Sequence, residues 1–84
     1  MAGPLRLGPV LRHVDDRSAA VWVETDRAAT VTVRLEDHPT GRTEWHRPTF
    51  AVHDHHYALV EVTDLTPGWR TAYQVLVDEE VCWP

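Results

Sequence analysis

Lysine is absent from the 84 residues, and Cys82 is the only cysteine. A single thiol permits no internal disulfide, which excludes a disulfide-stapled secreted module and leaves packing to hold the fold. With no lysine, all eight basic residues are arginines, scattered at positions 6, 12, 17, 27, 34, 42, 47 and 70, against thirteen acidic residues and a net charge of -5. Nucleic-acid binding rests on clustered cations that neutralise phosphates, so this balance argues against such a partner. The four glycines, at 3, 8, 41 and 68, form no phosphate-cradling loop. Ser18 is the sole serine and lies in an alternating apolar run rather than in G-x-S-x-G, so no acyl-transfer nucleophile is expected. The N-terminal "MAGPLRLGPV" contains one arginine and no long apolar run. It therefore has neither the h-region of a signal peptide nor a membrane span, and the expected location is cytoplasmic with no membrane partner.

What is present is a chain that is 43% hydrophobic and 25% charged, a balance that suits a folded domain. A chain of this length buries only about 60% of the surface it would expose when unfolded. One domain over residues 1–84 is expected, with its ordered core from about Leu7 onward. Short β-rich runs alternate with turn residues roughly every eight to fifteen positions, and no helical stripe of useful length occurs. Leu7 to Val14 contains Gly8-Pro9, which fits an edge strand because proline cannot donate to a neighbour.

Further strands are expected in "SAAVWVET" (18–25), "TVTVRL" (30–35), "TFAV" (49–52), "HYALVEV" (56–62), "AYQVLVD" (72–78) and "VCWP" (81–84). Asp15-Asp16-Arg17, "EDHPTG" (36–41), "DLTPGWRT" (64–71) and Asp78-Glu79-Glu80 read as the connections. About six to seven strands of this spacing predict an all-β antiparallel sandwich of the immunoglobulin or fibronectin type III kind. Its core is expected to hold Trp22, Val60, Val62, Leu65, Tyr73 and Val75.

His53-Asp54-His55-His56 is the densest run of metal-ligating side chains. Read as strand, alternation puts His53, His55 and Tyr57 on one face and Asp54, His56 and Ala58 on the other. His53 and His55 then form a two-ligand clip, short of the three or four ligands that zinc requires, so they are weak metal candidates and no cofactor is expected. Asp54-x-His56 matches the first motif of metallophosphoesterases, but the chain has no Gly-Asp pair and no Gly-Asn-His to complete a two-metal site. Cys82, in an apolar C-terminal run, reads as a small buried hydrophobe. No enzyme is expected within these residues. Trp45, Trp69 and Trp83 lie in or beside loops, where tryptophan is enriched at protein interfaces. They are the candidate interface residues, and the two-sided apolar character of "AAVWV" points the same way.

Gly8-Pro9, the Ser-Ala-x-x-Trp strand ending at Trp22, the His55-His56 strand start, the Leu65-x-Pro67-Gly68 turn leading to Tyr73, and the closing Val81-Cys82-Trp83-Pro84 occur in a distinctive order. In that order they resemble the N-terminal β-sandwich that precedes the catalytic domain of PhoD-like alkaline phosphatases, in a cytoplasmic-looking branch. More distantly they resemble the N-terminal domain of purple acid phosphatases. The resemblance runs from about Leu7 to Pro84. It implies a non-catalytic module, the N-terminal part of a longer chain, packed on the metallophosphatase catalytic domain of that same chain, whose divalent or trivalent metal ions and catalytic residues have no counterpart here. The alternative expectation is a free-standing fibronectin-like module that binds protein or carbohydrate.

Overall fold

The computed structural model describes residues 4–14, 17–36, 43–63, 65 and 72–84. They form eight strands: β1 (Leu5–Val14), β2 (Ala19–Thr25), β3 (Thr30–Leu35), β4 (Glu44–Pro48), β5 (Phe50–Val52), β6 (His55–Val62), β7 (Tyr73–Val77) and β8 (Glu80–Trp83). No helix occurs among the described residues, so none is long and apolar enough to cross a membrane. The strands assemble into two four-stranded antiparallel sheets, ordered β1-β2-β6-β5 and β4-β3-β7-β8. These orders correspond to A-B-E-D and C′-C-F-G of an immunoglobulin-type sandwich. Two more strands form than the lower sequence expectation, because the stretch around Trp45 and "TFAV" supplies both β4 and β5.

The core is a valine layer between the sheets. Val21, Val23, Ala58, Val60 and Val62 face Val31, Val33, Val75, Val77 and Trp45, closed at the ends by Leu5 and Leu35. Branched side chains pack well on a pleated surface and lose little rotamer freedom there, which suits a small core built almost wholly of valine. Leu65, Tyr73, Cys82 and Trp83 pack against this layer half-buried. The Tyr73 ring lies 4.8 Å from that of Trp83, and burial raises the Tyr73 phenol above its ordinary pKa.

β1 is an edge strand, and the break at Gly8-Pro9 falls within it. Gly8 adopts φ +93°, and a Cβ there would sit 2.6 Å from the Trp22 carbonyl oxygen. Only glycine allows β1 to run this close to β2.

The two hairpins that close the sheets use the same device. His53-Asp54 (φ 48° and 66°) joins Val52 to its partner His55, and Asp78-Glu79 (φ 49° and 69°) joins Val77 to Glu80. Two central residues with positive φ make a type I′ turn, whose twist matches that of the flanking strands. The second is further fixed by Asp78, which accepts from the Thr30 amide at 3.0 Å and donates its own amide to the Thr30 carbonyl at 2.9 Å.

Three sequence expectations are corrected. Trp22 is not in the core: Val21 and Val23 fill the inner side of β2, so Trp22 shares the outer side with Ala20 and Glu24. Trp45 is not a surface residue: it is 2% exposed, lies across from Val33, and donates its indole N–H to Thr63 Oγ1 at 3.3 Å. His53 and Asp54 are not strand residues, so strand alternation does not align His53 with His55.

A candidate docking face

Direct cross-strand partners share a face, so the register assigns the outer surface of the β1-β2-β6-β5 sheet residue by residue. Val10, Trp22 and Leu59 form one row, and Leu7, Glu24, Tyr57 and Phe50 form the next. Val52 and His55 close one end, and Ala20 and Glu61 lie toward the other. Leu7 is 59% exposed and Phe50 50%, and Val10, Val52 and Leu59 are also large exposed hydrophobics. Trp22 and Tyr57 are half-buried by each other, their rings stacked at 4.8 Å and 22°. Phe50 stands at the side of this pair, 6.4 Å from Trp22 and 6.0 Å from Tyr57. Monomeric domains rarely leave so many neighbouring apolar side chains in water, and aromatic residues are those that carry binding energy at interfaces.

One polar group is set into this surface. Glu24 lies between Leu7 on β1 and Tyr57 on β6, and its side chain is only 7% exposed. Its Oε2 accepts from His55 Nδ1 at 2.8 Å, since a carboxylate has no proton to donate. The His55 side chain is half-exposed and its ring is held parallel to Tyr57, 6.1 Å away at 14°. The histidine is thus fixed from two sides.

The opposite outer surface, on the β4-β3-β7-β8 sheet, is mainly polar, with Val81, the cross-strand partner of Leu76, exposed at its β8 edge. Thr30, Thr32, Arg34, Glu44 and His46 line a shallow groove there with Asp78 and Glu79. Its arginine is occupied: Arg34 donates to Glu44 at 3.1 Å and to Gln74 at 3.4 Å.

Of the candidates expected from sequence, Trp83 packs half-buried on the core beside Tyr73, and Trp69 lies outside the described residues. The Pro67-Gly68 turn, Asp15-Asp16 and most of the 36–41 loop also lie outside them. His53 stands in the turn, while His55 is bound to Glu24. Among the described residues no group of three or more His, Cys, Asp or Glu is placed to hold a metal ion.

Sequence reasoning missed Phe50, Tyr57 and Leu59 as surface residues. The available signal was Glu24, which stands two positions from Trp22 and so shares its side of β2.

A family model described as "Domain of unknown function (DUF7800)" matches residues 2–84. No curated protein matches the chain, and no solved structure matches it.

Proposed function

The chain belongs to this family, by a match spanning residues 2–84, and on that premise we propose that it is a non-catalytic module that docks on a folded protein domain. The observation that carries the reading is the outer face of the β1-β2-β6-β5 sheet, with Leu7, Val10, Phe50, Val52 and Leu59 exposed around the Trp22–Tyr57 stack. Covering those side chains removes apolar surface from water without reorganising the core, because the valine layer lies on the other side of the sheet. The resemblance to the N-terminal sandwich of PhoD-like phosphatases names the proposed partner, a metallophosphatase catalytic domain. Metal ions and phosphate chemistry belong to that domain.

The test is calorimetric titration of the chain into such a catalytic domain expressed without its own sandwich. Saturable binding is expected, weakened at least about 30-fold by Phe50→Asp, the size of an interface hot spot. Thr32→Asp, on the opposite sheet, should leave it unchanged. Absence of binding by the unsubstituted chain, or equal loss from both variants, overturns the reading. Binding of an oligosaccharide to the Trp22–Tyr57 face, with none of the domain, replaces it with the carbohydrate alternative.

A further inference from the structure

We infer that the partner meets this face with a cationic side chain, an arginine or a lysine, seated against the Glu24–His55 pair and the Tyr57 ring. The inference rests on the docking reading and specifies its chemistry.

A carboxylate removed from water is costly unless its lone pairs are filled, and it has about four acceptor sites. Glu24, with its side chain 7% exposed, has one side-chain partner among the described residues, His55. His55 Nδ1 is engaged as the donor, so in the neutral ring the remaining nitrogen, Nε2, is an acceptor, and it has no partner among the described residues. In the free chain, water reaches the half-exposed histidine. Once the face is covered that water leaves, and both acceptors need a donor from the partner. A cation supplies the donor and at the same time balances the carboxylate.

The surroundings favour the same occupant. The Tyr57 ring, stacked on Trp22, lies beside His55, and aromatic rings attract cations, arginine above all. At the paired positions of this face the carboxylates are Glu24 and Glu61, while the exposed Arg6 and Arg12 fall at the register shifts of the β1 edge. Glu61 lies four residues beyond Tyr57 on β6, about 13 Å away by strand rise. A second copy of this chain, with a net charge of -5 and no lysine, would bring the same carboxylates to the contact. A basic-rimmed apolar surface on a different domain is complementary.

The titration described above tests this with Glu24→Gln, whose amide oxygen still accepts from His55 Nδ1–H while the charge is gone. Wild-type affinity is expected to fall as salt is raised. Glu24→Gln should weaken binding about tenfold and flatten that salt dependence. Nitrogen chemical shifts of His55 should show the same tautomer in both proteins, which separates loss of charge from loss of orientation. Glu61→Gln, at an exposed position, should weaken binding about threefold by the same charge effect and serves if Glu24→Gln fails to fold. Binding that is lost in Phe50→Asp but indifferent to salt and to both glutamine variants overturns the cationic partner and leaves the docking reading standing. No binding by the wild type overturns the docking reading itself. Concentration-dependent dimers in sedimentation, with the face buried between copies, overturn the choice of a different domain.

Discussion

The two outer faces of the sandwich differ in what they leave in water. On the β4-β3-β7-β8 side, polar groups answer one another: Arg34 is held by Glu44 and Gln74, Leu76 in that groove is 2% exposed, and Val81 beside it is that side's one large exposed hydrophobic among the described residues. On the β1-β2-β6-β5 side, five large apolar side chains are exposed around an aromatic stack, while the charged residue Glu24 is the one that is buried. A face that ends in solvent places charges outside and tucks apolar atoms beneath them. The inverse order is the observation on which the proposed docking reading rests.

Two tryptophans sharpen that comparison most. Trp45→Ala should cost about 3 to 5 kcal/mol, as a core truncation that also orphans the Thr63 contact. Trp22→Ala should cost only about 1 to 2 kcal/mol, because its ring is half-buried and loses mainly its stacking with Tyr57. Urea unfolding of the two variants measures the difference, and equal losses would put Trp22 back in the core. Next in size is Gly8→Ala, expected to cost at least about 2 kcal/mol through the strained φ and the clash with the Trp22 carbonyl. This change would loosen the edge strand that contributes Leu7 and Val10. A thermal shift no larger than that of an ordinary surface substitution would mean that β1 is held less closely than its register indicates. The smallest effect is expected on the polar face, where Arg34→Ala should cost under about 0.5 kcal/mol, since both partners of the pair are exposed. A larger loss would make that face a structural network rather than a solvated one.

Much of the strand layout was legible from alternation. "TVTVRL" became β3 over the same six residues, and "HYALVEV" became β6 with Ala58, Val60 and Val62 inward. The edge position of Gly8-Pro9 and the hairpin at Asp78-Glu79 were readable from proline and turn chemistry. Other features were hidden for identifiable reasons. His53-Asp54 forms a type I′ turn without the Asn-Gly or Asp-Gly pair that signals one, so the run reads as strand. β4 carries one buried residue, Trp45, among charged and proline neighbours, too little alternation to establish a strand or its side. In β2, both sides are apolar, and the larger side chain is the outer one.

The sequence by itself determined that this protein is a small all-β chain, stapled by no disulfide, acidic, and patterned with period two. Period two says which residues share a side; it does not say which side is inside. That choice was made only when the second sheet arrived: valines at 21 and 23 fit against Val31, Val33, Val75 and Val77 at sandwich spacing. Trp22, on the opposite side of the same strand, was left to stack with Tyr57 on the surface, and Glu24 and His55, 31 residues apart in the chain, were brought to 2.8 Å. The proposed docking face is therefore a property of packing, because an outer face exists only relative to a core.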